Sequence, residues 1–180
     1  VGLAVAIAAD RLGWLRRVTD RGAALPPSTY LALVLAVTVA VRVAAILVFP
    51  LEPKMDDEQF HRYAVNMLAG DGYGSPGHRA FFPPGMAFVL TGWYWLVGPS
   101  VLAGKLLQVA FSVLLVWQTW ATSRIYLAEA QARLAGWLVA LMPTLVFYTA
   151  TLGYEILLGL IFVLVCRLAD SLLAGEFLPS

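Results

Sequence analysis

Cysteine is almost missing from this chain. The lone Cys166 has no partner for an internal disulfide and belongs to no thiolate set that would hold zinc. It lies in an apolar run and reads as a small buried hydrophobe. Histidine is nearly as scarce: His61 and His78 are the only two, too few and too far apart to make a metal site by themselves. Charge is thin as well, at 13% of residues with a net +1, and no basic patch with interleaved aromatics points to nucleic acid. What the chain has instead is apolar surface. Hydrophobic residues make up 61% of it and its mean hydropathy is +0.79, whereas soluble domains run to about half apolar and about a quarter charged. This composition is that of a membrane protein.

The apolar runs order the chain. Residues 1–28 open with a run too short to span a bilayer, which needs about 20 residues. Arg11, Arg16, Arg17 and Arg21 follow that run, whereas a signal peptide carries its positive charge in front. An interfacial amphipathic segment is expected there. Residues 29–49 form the first span, closed by Pro50 and Pro53 and interrupted by Arg42. Further spans are expected at 101–121, at 134–150 around Pro143, and at 153–168 with Arg167 at its end. Residues 122–133 make a short polar turn. The expected fold is all-α, a polytopic helical membrane protein with about four transmembrane helices. Arginines before the first span and basic residues at later span ends place the N-terminus in the cytoplasm, by the positive-inside rule. The membrane domain covers 29–175, with an outer loop at 50–100 and a tail at 176–180. The opening at Val1 and the end at Ser180, soon after an apolar run, fit a piece of a longer polypeptide.

One long polar interval breaks the pattern, from Asp56 to Gly85. It begins with three consecutive acids, Asp56, Asp57 and Glu58. Apolar residues at Phe60, Tyr63, Ala64, Met67 and Leu68 recur at helical steps and predict an amphipathic helix. Gly70, Gly72, Gly74, Pro76 and Gly77 then break any regular element. Pro83-Pro84-Gly85 opens a second apolar stretch, 86–97, whose Trp93, Tyr94 and Trp95 suit the headgroup layer. It reads as an interfacial helix or as a short tilted span. The Gly70-Asp71-Gly72-Tyr73-Gly74 run lacks the strand-turn-helix setting of a nucleotide loop.

The expected topology puts Glu155, in the first turn of the last span, on the same membrane face as Asp56. A carboxylate in an apolar span is costly unless it has a partner or a task, although a helix N-terminus offsets part of that cost. Arg42 is open to two readings, a functional charge inside a span or a side chain snorkelling to the headgroups. Carboxylates at a membrane rim with Arg42, Lys54, Arg62, Arg79 and Lys105 nearby suit an anionic, lipid-linked substrate. A carboxylate can act as general base on a hydroxyl, and cations can hold a phosphate and stabilise charge developing on it. A plain solvated loop is the simpler reading of the acids. Acids beside His61 could hold a divalent ion, but no cofactor is expected.

The order of these features resembles the GT-C membrane glycosyltransferases, and glycosyltransferase family 39 in particular, which includes protein O-mannosyltransferases and lipid A aminoarabinose transferases. The resemblance rests on the acid pair Asp56-Asp57 after the first span and on Phe60 where an aromatic follows the pair. It continues through the turn AVNMLAGDGY, the proline pair of FFPPGMAF, and the later acid Glu155 of LGYEIL. Phe82 stands where the family often has lysine. The match covers roughly residues 30–175, so the resemblance implies the N-terminal part of a longer enzyme. It implies transfer of a sugar from a polyprenyl-phosphate donor to a glycan, lipid or protein acceptor on the outer face of the cell membrane. Asp56 and Asp57 would be catalytic, with Asp56 the general base; a pairing one residue later, Asp57-Glu58, stays open. Arg79, Lys105 and Arg42 are candidates for the donor phosphate. Glu58, His61, Pro83, Pro84 and Glu155 complete the candidate substrate site. Two rivals from other classes stand beside this reading, a transporter or flippase subunit with Arg42 and Glu155 paired inside the membrane, and a scaffold whose loop docks a partner.

Overall fold

The computed structural model describes residues 25–75, 78, 79 and 82–173. The segment expected at the membrane surface before residue 25 and the tail at 176–180 lie outside the described residues. Seven helices follow in order among the described residues: α1 Pro27–Val48, α2 Asp56–Ala69, α3 Gly85–Val97, α4 Val101–Tyr126, α5 Glu129–Leu141, α6 Pro143–Thr149 and α7 Glu155–Leu173. A two-residue antiparallel pair, β1 Gly74–Ser75 with β2 His78–Arg79, sits between α2 and α3. The glycines of that stretch had suggested no regular element, whereas Gly74 pairs with Arg79 and Ser75 with His78.

Local chemistry sets the helix ends. Pro27 opens α1 at its first turn, where a missing N–H costs nothing. Ser100 caps α4, its Oγ accepting from the Ala103 N–H at 3.0 Å. Gly70 ends α2 in the left-handed region at φ 88°, which glycine adopts without penalty. Helices α1, α4 and α7 are long and apolar enough to cross a membrane. Helices α5 and α6, bent by 47° at Met142-Pro143, make a fourth span if taken together. The chain is therefore an all-α, membrane-spanning protein with three or four crossings. Helix α3, at 13 residues, is about 20 Å long against a hydrocarbon core of about 30 Å. It packs on α2 and on the first turns of α4, where Trp93 Nε1 donates to the Ala103 carbonyl at 2.7 Å.

The bend has a definable cause. Pro143 has no N–H to give the Val139 carbonyl, and Met142 is extended, so the last carbonyls of α5 lose their helical partners. Arg42, wholly buried in α1, fills the gap. Its Nη1 donates to the Ala140 carbonyl at 2.6 Å and its Nη2 to the Val139 carbonyl at 3.3 Å. Neither reading of Arg42 from the sequence anticipated that partner.

Two clusters organise the bundle ends. At one end Phe60, Tyr63, Met86, Leu90, Tyr94 and Leu107 join α2, α3 and α4. Towards the other, Tyr30, Val34, Val116, Trp120, Ala132 and Ala140 join α1, α4 and α5. Basic residues gather at the second end: Glu129 pairs with Arg124 at 2.9 Å and Arg133 at 2.6 Å, and Arg133 also donates to the Leu25 carbonyl. Here Tyr30 crosses Gly136 so closely that a Cβ there would collide with its hydroxyl, which donates to the Arg133 carbonyl at 2.9 Å. Gly136→Ala is expected to cost about 1–3 kcal/mol by forcing Tyr30 off that carbonyl. Reversible unfolding in mixed micelles measures it, and an unchanged midpoint would count against the packing.

Candidate functional site

Helix α2 starts abruptly. Met55 precedes it at φ 53°, ψ −118°, with no side-chain cap, and its own side chain is exposed. A β-substituted residue in that region carries about 1–3 kcal/mol of strain. The first turn then holds Asp56, Asp57 and Glu58, where the unpaired N–H groups favour negative charge. Successive helical residues point about 100° apart, so the acids face different ways. Asp57 is half-buried, while Asp56 and Glu58 are exposed.

Asp57 turns into a cleft of about 460 Å³ whose walls include Pro50, Leu51, Lys105, Thr151 and Leu152. The cleft lies between the segment leaving α1 and the loop joining α6 to α7. Lys105, 5% exposed, reaches across to donate from Nζ to the Leu51 carbonyl at 2.6 Å. An ammonium has three donors, so that bond leaves capacity over. Burial pushes the Asp57 carboxyl above its ordinary pKa. The Leu152 N–H opposes this, the Glu155 and Asp56 carboxylates add to it, and Lys105 works against it.

Glu155, the first residue of α7, folds its carboxylate back over Gly153, where a Cβ would collide with it. Its Oε2 is buried with no hydrogen-bond partner. Gly153 is fixed in turn by Gln108, whose Nε2 donates to its carbonyl. The fold thus brings Asp56, Asp57, Lys105 and Glu155 to one end of the bundle, as the topology read from the sequence required.

Other candidates are placed elsewhere. Arg42 is committed to the α5 carbonyls, and Glu58 faces solvent. The side chain of Arg79 lies outside the described residues. His61 meets the Tyr94 hydroxyl at 2.8 Å, and burial lowers its pKa. Arg62 binds Gln59 on the surface of α2. Pro84 caps α3, and Pro83 joins a second hollow. That hollow is an apolar groove of about 360 Å³ lined by Phe60, Pro83, Met86, Tyr154, Leu157 and Ile161. It runs between α2, α3 and the start of α7. Phe60 follows the acids by one turn and meets Tyr154, the neighbour of Glu155, edge-on at 6.0 Å. Among the described residues no three of His, Cys, Asp and Glu gather as a metal-binding group.

Gln108 and the Leu152 N–H were not among the residues picked out from the sequence. An amide inside an apolar span was a visible signal for the first, whereas a backbone donor in a loop leaves no mark in composition.

The raised Asp57 carboxyl has a consequence for stability. A carboxyl whose folded pKa lies above its unfolded value binds more protons folded than unfolded between the two values. Stability therefore falls as pH rises from about 4 through the folded pKa, and the penalty is fully present above that. Asp57→Asn is expected to be neutral or stabilising at pH 7, and to lose that advantage below the unfolded pKa. Thermal midpoints of both proteins across that range test this; a variant destabilised more at pH 7 than at low pH would contradict it.

Comparison with protein-family models, curated proteins and solved structures finds no match for this chain.

Proposed function

We propose that this chain forms the acid-bearing part of a membrane glycosyltransferase that moves a sugar from a polyprenyl-phosphate donor to an acceptor hydroxyl. The observation that carries the reading is the adjacency of the two hollows. An acid cleft and an apolar groove both draw on α2, through Asp57 and Phe60, and the loop segment 150–152 that walls the cleft runs on to Tyr154 in the groove, so a lipid chain in the groove would bring its head group towards the carboxylates. The resemblance to family 39 supplies the reaction class. The site is assigned to the outer face of the cell membrane, with the basic end and the N-terminus in the cytoplasm.

In this scheme Asp56 is the general base. It is exposed and beside the cleft, free to take a proton. Asp57, held between the Leu152 N–H and Lys105, orients it. The acceptor oxygen attacks the anomeric carbon and gives its proton to Asp56. The bond from that carbon to the phosphate oxygen breaks, with the electron pair leaving on the phosphate. The transition state has oxocarbenium character, and one displacement inverts the centre. Lys105 has spare donors for the departing phosphate, and Arg79 is a second candidate. Glu155 sets the acceptor or the base.

A photoreactive polyprenyl phosphate tests the groove. It is expected to label Phe60, Tyr154 or Ile161 and to be displaced by polyprenyl-phosphate sugar but not by a diacyl phospholipid. Labelling that any lipid displaces would remove the support for a specific donor.

The broken span α5–α6 favours a transporter on one count, since discontinuous helices often line transport sites. Its freed carbonyls, however, are occupied by Arg42 rather than left for an ion or substrate. The Arg42–Glu155 pair that a transporter would use is not among the ion pairs of the described residues.

A further inference from the structure

Gln108 occupies the second turn of α4 and is wholly buried. Its Nε2 donates to the Gly153 carbonyl, and its Oε1 has no hydrogen-bond partner. Ser112, one turn further along the same face, also has a buried hydroxyl without a partner. In an apolar span, an amide with half its hydrogen bonds unmade is less favourable than a leucine of similar size. Packing therefore does not explain the residue. Its single bond does, because of what that bond holds.

Gly153 lies in the middle of the loop between α6 and α7. Leu152, just before it, is buried and lines the acid cleft with Asp57. Glu155, just after it, rests its carboxylate on the bare Cα of Gly153. The loop is also tied by the Leu152 N–H to Asp57 and, locally, by Thr151 Oγ1 to the Tyr148 carbonyl at 3.0 Å. The Gln108 bond spans 45 residues and joins the loop to the buried face of α4.

We propose that Gln108 is a positioning residue for the acid site, its amide holding the 150–154 loop where Glu155 and the Leu152 N–H face Asp57. The catalytic consequence rests on the glycosyltransferase reading; the mechanical coupling does not. The groups facing Asp57 are Asp56 on its own helix, Glu155 on α7, Lys105 on α4 and the Leu152 N–H. Glu52 and Lys54 share the cleft wall. Loosening the loop withdraws the Leu152 donor, which favours the ionised form of Asp57, together with the Glu155 carboxylate and the burial that oppose it, so the titration of Asp57 reports the position of the loop.

The test uses the whole chain in lipid nanodiscs, with Gln108→Leu and Gln108→Glu. Leucine removes the orphan oxygen along with the donor but leaves the buried Gly153 carbonyl without its partner, so its thermal midpoint is expected to stay close to that of the wild type. Amide exchange at Leu152 is expected to speed up by about tenfold or more, in line with a local opening made easier. The Asp57 carboxyl, followed by carbon NMR, is expected to titrate at a pH shifted from that of the wild type. Glutamate can donate only while protonated, so Leu152 in Gln108→Glu is expected to exchange at the wild-type rate at low pH and to become faster than the wild type, compared at the same pH, as the pH rises. A merely space-filling Gln108 would produce neither the Asp57 shift nor that pH dependence. Wild-type exchange and titration in Gln108→Leu, or a ratio of Gln108→Glu to wild-type exchange that does not change with pH, would overturn the proposal. Should the wild type transfer no sugar, the glycosyltransferase reading falls while exchange and titration still decide the role of Gln108.

Discussion

Asp56→Asn is expected to lower the rate of sugar transfer by about 10²–10⁴-fold, the usual contribution of a positioned general base. Asparagine keeps the shape and polarity of the side chain but cannot accept the acceptor's proton. The side chain is exposed at the start of α2, so the substitution is expected to leave the thermal midpoint and donor-lipid labelling unchanged. Surface changes of this kind usually stay within about 0.5 kcal/mol. Asp56→Glu is expected to recover part of the rate, because the base returns but is displaced by one methylene. Asp57→Asn is expected to do less damage, since an amide oxygen can still accept from the Leu152 N–H. Single-turnover transfer with each variant separates the roles. Near-normal transfer by Asp56→Asn, or a larger loss in Asp57→Asn, would reassign the base.

The second large effect lies away from the site. Arg42→Leu is expected to destabilise the bundle by about 2–4 kcal/mol, since an unsatisfied buried polar group costs about 1–3 kcal/mol and this change orphans two carbonyls. The guanidinium is itself expensive to bury, which offsets part of that loss. The negative end of the α5 dipole, where the guanidinium sits, reduces that expense in the wild type. A second substitution isolates the mechanism. Pro143→Ala restores an N–H able to reach the Val139 carbonyl, so the double variant is expected to recover part of the loss. Unfolding in mixed micelles by SDS reads both. Strictly additive effects would mean that Arg42 does not serve the bend, and a fully stable Arg42→Leu would mean that the carbonyls find other partners.

Much of this architecture could be read from the chain because the cues are local. The apolar runs around residues 29–49 and 101–121 became α1 and α4, and the three- and four-residue spacing from Phe60 to Leu68 became α2. Pro143 was noted inside the expected span at 134–150, which the structure divides into the bent pair α5 and α6, and the alternation of spans put Glu155 at the same end as Asp56 and Asp57. What could not be read depends on contacts between distant segments. Arg42 meets a carbonyl 98 residues away, and only the geometry of the bend explains a charge at that depth. Gln108 meets one 45 residues away. The division between Asp56 and Asp57 is of another kind, since neighbours in sequence lie on different faces of a helix and composition gives them one label. The short pairing of Gly74–Ser75 with His78–Arg79 was hidden by a run of glycines and prolines that reads as a plain loop.

The most direct test of the glycosyltransferase reading is single-turnover transfer by the full-length enzyme that the resemblance implies, in sealed vesicles of known orientation. The vesicles would carry a radiolabelled polyprenyl-phosphate sugar, with hydroxyl acceptors supplied on one side at a time. The account requires the label to leave the lipid with inversion at the anomeric carbon, and only when acceptor is present on the side of the Asp56–Glu155 cleft. Donor left intact with acceptor on either side would contradict it, as would movement of the intact lipid-linked sugar across the bilayer without transfer.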